Sequence, residues 1–177
     1  AARRAYNGSM APALLPAAAL LGLLAAPLAV AAAPKVADIT AIRGDARVIR
    51  AVTKVLVDAE EDVDLFEGDE VATLAGGSVT ITFVDHHLLK LGEKTSMVIK
   101  TVKADPRTGS FLGRVRLLSG RLFATFGKST GTAKTGFAVE TRSAVAAVKG
   151  TTFGVEEGDQ GSTVSVEEGV VATAPVD

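Results

Sequence analysis

The run VAAVKGTTFGVEEGDQGSTVSVEEGVV, Val145 to Val171, decides the fold. Small and β-branched residues alternate with polar ones, and glycines interrupt the alternation. A period of two places alternate side chains on opposite faces of an extended strand, whereas a helix needs 3.6. The stretch holds no histidine, no cysteine and no helical spacing, so it reads as strands and turns.

The same habit runs back through the chain. In SVTITFV (Ser78 to Val84), Val79, Ile81 and Phe83 share one face. SMVIKTV (Ser96 to Val102) repeats it, and in RVRLL (Arg114 to Leu118) Val115 and Leu117 face in while Arg114 and Arg116 face out. RLFATF puts Leu122, Ala124 and Phe126 together. Gly44, Gly68, Gly77, Gly92, Gly113, Gly120, Gly136, Gly150, Gly161 and Gly169 stand where turns are expected. Strands of about five to eight residues between such signals predict an all-β domain. Its form is a small β-solenoid-like coil or a two-sheet sandwich of short strands with Gly turns. Residues 59–70 are expected to form a loop, and 103–110 and 127–136 to form mobile loops.

Ahead of this domain, residues 11–33 contain only Ala, Leu, Pro, Gly and Val, with Arg3 and Arg4 upstream. A basic start, an apolar stretch and small residues at its end form the layout of a secretory signal. Ala29-Val30-Ala31 offers a cleavage site, and Met10 an alternative start. The stretch is also long enough to be an uncleaved anchor, though its alanines and prolines fit a membrane poorly. The chain therefore divides into a signal or anchor at 1–33 and a single domain at 34–177. Membrane contact is expected only through residues 11–33, and only if they are retained.

The 177 residues carry 19 basic and 20 acidic side chains, for a net charge of −1. Arg3 and Arg4 are the only charged residues before Lys35, so the remainder stands at −3. A mildly acidic domain with no Trp, and its one Tyr in the leader, lacks the basic face and stacking rings of a nucleic-acid binder. There is no cysteine, so neither a disulfide nor a lipidated cysteine holds the protein.

With these elements in order, FAVETRSAVAAVKGTTFGVEEGDQGSTVSVEEGVV resembles the FecR domain, the extracytoplasmic module of iron-dicitrate sensor-regulators. Phe137 to Thr141 matches the family's first marker strand and Ala144 to Val148 the second. Lys149-Gly150-Thr151 matches its Arg-Gly-Thr, and Val164 to Val171 its closing V-x-V-x-x-G strand. The likeness extends over 38–173. Thr141-Arg142 stands where the family has Thr-Pro, and Asp85-His86-His87 where it has Asp-Gly-Ser. The few residues ahead of the apolar stretch imply a stand-alone exported form without an anti-sigma segment.

The candidate site residues are Lys149, Gly150, Thr151 and Gly169, with a mainly structural role. Gly150 permits a turn or close approach, Thr151 suits a strand, and Lys149 is expected to pair with a carboxylate or cap carbonyls. His86-His87 is expected to form a solvent-exposed turn, since strand neighbours point apart and cannot chelate one ion. The acidic run from Glu60 to Glu70 lacks the order of a calcium loop and is expected to be a solvated face. No catalytic, cofactor or metal residue is assigned: there is no G-x-S-x-G elbow, and both histidines are adjacent. These readings make the chain a periplasmic or secreted, non-enzymatic binding or signalling module of the cell envelope. Its partner is expected to be an envelope protein met through a strand edge or loop. The alternative is a structural or carbohydrate-associated envelope module.

Overall fold

The computed structural model describes residues 33–127 and 133–175. The leader expectations at 1–32 lie outside them. One compact unit spans Ala32–Asp177. No helix occurs among the described residues, so none is long and apolar enough to cross a membrane. Twelve strands follow in order: β1 (Ala37–Arg43), β2 (Ala46–Ile49), β3 (Leu56–Asp58), β4 (Asp64–Leu65), β5 (Glu70–Thr73), β6 (Ser78–Phe83), β7 (Leu88–Leu91), β8 (Ser96–Asp105), β9 (Ser110–Thr125), β10 (Thr135–Glu140), β11 (Ala144–Gly158) and β12 (Gly161–Pro175).

The all-β expectation holds, but the pieces differ from those expected. All twelve strands join one sheet instead of a sandwich of two. β9 is its spine. Its first half pairs with β8 and, in parallel, with β10; its second half pairs with β7 and β11. β9, β11 and β12 run for 16, 15 and 15 residues, far beyond the short strands expected. Gly113, Gly120, Gly150 and Gly169 lie inside these strands. Three of them, Gly120, Gly150 and Gly169, have positive φ, which bends a strand at a bulge as readily as it ends one at a turn. Of the expected loop at 103–110, the ends belong to β8 and β9, and only a tight turn remains, closed by Thr108 N–H donating to the Asp105 carbonyl. In the other expected loop, 128–132 lie outside the described residues, while Thr135 and Gly136 open β10.

The alternation predicted from the sequence sorts the side chains. Val79, Ile81 and Phe83, then Met97 and Ile99, then Val115, Leu117, Leu122 and Ala124 are all buried. The core centres on four phenylalanines. Phe126 and Phe137 stack with centroids 4.2 Å apart, and Phe83 lies 5.6 Å from Phe111 and 5.7 Å from Phe137. Gly113 makes room for this cluster: a Cβ there would lie 2.6 Å from the Phe137 ring.

His87 is drawn into this cluster, against the expectation of a solvent-exposed turn. Its ring is 4.6 Å from Phe126 and 5.3 Å from Phe111. His86 takes the positive φ of the β6–β7 turn and is exposed, while His87 is largely covered. His87 Nδ1 lies 3.1 Å from Asp85 Oδ2. Burial pushes the Asp85 carboxyl above its ordinary range, against the pull of the neighbouring imidazole. Among the described residues no cluster of three or more His, Cys, Asp or Glu forms a metal site.

The acidic run is not all solvated either. Asp69 is buried, accepting from Arg50 Nη1 (2.7 Å), Ala51 N–H (2.9 Å) and Phe66 N–H (3.2 Å). It staples the loop before β5 to the end of β2.

Candidate functional site

The β11–β12 hairpin gathers the candidate residues at one corner. Lys149 pairs with Val170 and Thr152 with Glu168, so Gly150 and Thr151 face the single residue Gly169. Gly150 at φ 61 and Gly169 at φ 99 both sit in the left-handed region. The extra residue is given back one step later. Phe153 pairs with Val166, leaving Glu167 unopposed, and the original register resumes. Thr151 is buried at the corner, its hydroxyl 3.1 Å from the Lys149 carbonyl and 3.3 Å from the Val170 carbonyl. A Cβ on Gly169 would stand 2.7 Å from that hydroxyl and 2.9 Å from the Gly150 carbonyl oxygen.

Lys149 does not behave as expected. It is exposed, and no carboxylate among the described residues lies within ion-pair distance of it. Gly150→Val is therefore expected to cost about 1–3 kcal/mol, the scale of strain at a special backbone position, and Lys149→Ala less than about 0.5 kcal/mol, the scale of an ordinary surface change. Urea unfolding of the two variants in one background makes the comparison.

The corner occurs twice. Thr95, just ahead of β8, lies opposite Gly120 of β9. Its hydroxyl is 3.1 Å from both the Glu93 and the Arg121 carbonyls. These are the counterparts of Lys149 and Val170, two residues before the threonine and one after the glycine. The residue before each threonine, Lys94 (φ 51) and Gly150 (φ 61), is left-handed, as are Gly120 (φ 85) and Gly169 (φ 99). The bulges also match. Ser96 pairs with Ser119 and Met97 with Leu117, leaving Leu118 unopposed as Glu167 is. The sequence carries the signal, Thr95-Ser96 with Ser119-Gly120 beside Thr151-Thr152 with Glu168-Gly169, but it is too sparse to stand out as a repeat.

Beside the corner, the outward face of β8 to β11 forms an open groove of about 420 Å³. Its floor is formed by the small residues Gly136, Ala138 and Ala147, and Leu112, Lys103 and Arg114 border it. These positions line up across the strands: Lys103 with Leu112 and Gly136, then Thr101 with Arg114, Ala138 and Ala147. Lys149 follows Ala147 on the same exposed side. Arg114 and Arg116 both bind Glu140, at 3.0 and 2.9 Å, so two guanidiniums share one carboxylate. Lys103, like Lys149, has no carboxylate in reach among the described residues. The face is positive on an acidic protein.

At the other end of the hairpin, Arg142 binds the buried Glu157 (Nε to Oε1, 2.6 Å) and the Gly158 carbonyl (2.8 Å). Ser162 donates to Glu157 Oε2, and its oxygen lies 2.6 Å from the Thr141 hydroxyl. Burial pushes the Glu157 carboxyl up, but the hydrogen bonds from Ser162 and Arg142 outweigh it and hold the group below its usual range. A lowered carboxylate stabilises the fold above the unfolded value, ~4.3 for Glu, and that contribution disappears as pH falls through the lowered folded value. Glu157→Gln is expected to cost stability at pH 7 and progressively less as the solution is acidified below ~4. Urea midpoints of wild type and variant across that range would show the two curves converging.

A family model described as FecR protein matches residues 69–172, from the Asp69 staple into β12. The chain belongs to the FecR family. FecR domains are extracytoplasmic modules connected with sensing and signalling. The match covers both Thr–Gly corners, so the FecR residues of this chain include Thr95 and Gly120 as well as Lys149, Gly150, Thr151 and Gly169. No curated protein and no solved structure matches the chain.

Proposed function

We propose that this FecR protein is an exported, non-enzymatic signalling module that acts by contact with another envelope protein, through the outward groove of β8 to β11. The observation that carries this reading is the charge of that face. Among the described residues Lys103 and Lys149 have no carboxylate in reach, and Arg114 and Arg116 divide one between them. The small floor of Gly136, Ala138 and Ala147 leaves space for an apolar side chain. The partner that fits is an acidic protein segment presenting one such side chain between its carboxylates. Complementary charge of this kind speeds encounter and suppresses wrong partners more than it adds affinity.

The test is a photo-crosslinking amino acid placed at Ala147 in cells that make the protein, with Val52, 91% exposed, as the control position. One defined envelope-protein adduct from position 147 is expected, lost when Lys103 and Lys149 are both changed to Glu. Equal adducts from both positions, or an adduct indifferent to charge reversal, would overturn the reading. Fractionation of the same cells tests export: protein confined to the cytoplasm would defeat it.

A further inference from the structure

We infer that the groove reads an extended acidic segment laid across the strands, in which two carboxylates four residues apart flank one apolar side chain. This deepens the groove reading above and rests on it; what it adds is the conformation and the spacing of the segment. One row of residues carries it. Lys103 of β8 pairs with Leu112 of β9, and Leu112 with Gly136 of β10. Phe137 pairs with Val148, so one step further in the same antiparallel register Gly136 stands beside Lys149 of β11. The row therefore runs Lys103, Leu112, Gly136, Lys149, with a cation at each end and an apolar middle.

Both end cations are exposed, and among the described residues neither has a carboxylate within ion-pair distance. Arg114 and Arg116, beside the row, are by contrast engaged with Glu140. The uncompensated charge of this face is thus concentrated at two points. Between them Leu112 is 50% exposed, and its Cδ2 lies 3.3 Å from the place a Cβ on Gly136 would take. An apolar side chain set down there meets Leu112 on one side and the small residues Ala138 and Ala147 on the other.

The spacing selects the conformation. Neighbouring strands lie about 4.8 Å apart, so three steps put the two lysine backbones about 14 Å from one another. In an extended segment residues i, i+2 and i+4 share a face, and four residues rise by about 13 Å. A carboxylate, an apolar group and a second carboxylate at those positions meet Lys103, the Leu112–Gly136 seat and Lys149 in turn. A helix does not offer this. It covers about 14 Å in about nine residues, or about two and a half turns, which leaves the two carboxylates on opposite faces.

Two synthetic peptides of one composition test it, both acetylated and amidated so that the termini carry no charge. In Glu-Thr-Leu-Thr-Glu the leucine lies between the carboxylates; in Leu-Thr-Glu-Thr-Glu it lies outside them, and the carboxylates are two residues apart. Each is titrated into the purified protein while the backbone amide NMR signals of Gly136, Ala138 and Ala147 are followed. The first peptide is expected to move those signals and to bind at least roughly threefold more tightly, the worth of one exposed ion pair. With Lys103→Gln, an exposed substitution, the two should bind alike, because only one end of the row is left charged. Equal binding of the two peptides to the unmodified protein would overturn the inference, as would a preference that survives Lys103→Gln or signals that move elsewhere on the sheet. Equal binding that still requires both lysines would leave the groove reading standing. No binding of either peptide would also overturn the inference, while the Ala147 crosslinks decide the groove reading by themselves.

Discussion

Gly120→Val is expected to be the most damaging single change at either corner. At φ 85 any side chain is strained, by about 1–3 kcal/mol. The added carbon would also meet the Lys94 carbonyl oxygen and the Thr95 Cα at 2.6 Å, backbone atoms with little freedom to retreat. Overpacking of that kind adds about 1–3 kcal/mol. The total, about 2–6 kcal/mol, is a large share of a stability that for single domains is about 5–15 kcal/mol. Gly169→Val is the matched comparison. Its closest contact is the Thr151 hydroxyl at 2.7 Å, and among the described strands β12 pairs with β11 alone. An edge strand can shift where a central one cannot, so the second substitution should cost less. Urea unfolding of the pair measures both, and a greater loss at Gly169 would mean that the outer corner, not the inner one, anchors the sheet.

Phe137→Ala should cost about 3–5 kcal/mol, the range for a large buried ring. Phe137 is 2% exposed, stacks 4.2 Å from Phe126, and fills the space left open at Gly113. The hole cannot readily collapse. Phe83 and Phe126 are fixed by their own strand pairings, and Gly113 has no side chain to move in. Phe123→Ala is the control: at 43% exposed it should lose no more than about 1 kcal/mol. Thermal or urea midpoints compare them, and similar losses would place the core elsewhere than among the phenylalanines.

Much of the fold was legible because burial follows the period of two. Val79, Ile81 and Phe83, or Leu122 and Ala124, declare their face within five residues. The family was legible too, from the order of the marker strands. Strand length was not, because Gly120, Gly150 and Gly169 need positive φ whether they close a turn or seat a bulge, and the sequence shows only the glycine. Pairing partners were also hidden. The parallel match of Thr135 to Phe111 and Glu140 to Arg116 has no local signature. The buried acids escaped notice for a related reason: Asp69 needs Arg50 and Glu157 needs Arg142, and charges that far apart in sequence read as surface. At the candidate corner, Thr151 and Gly169 were singled out by a resemblance, but their meeting across the bulge, and its duplication at Thr95 and Gly120, depend on pairings far apart in the chain that leave no local signature.

The four-partner spine, β9, also governs the order in which this protein can form. β7 and β8 precede it in the chain and can pair with it early. Its other neighbours come from residues as late as Glu157, and one of them must return in parallel. Such non-local pairing is slow, because a long loop must close before any contact rewards it. Until β10 and β11 arrive, the newly made spine presents Phe111, Val115 and Leu122 uncovered. A chain in that condition is prone to stick to its neighbours. The central strand that later makes the sheet coherent is therefore the one whose assembly is most exposed to failure.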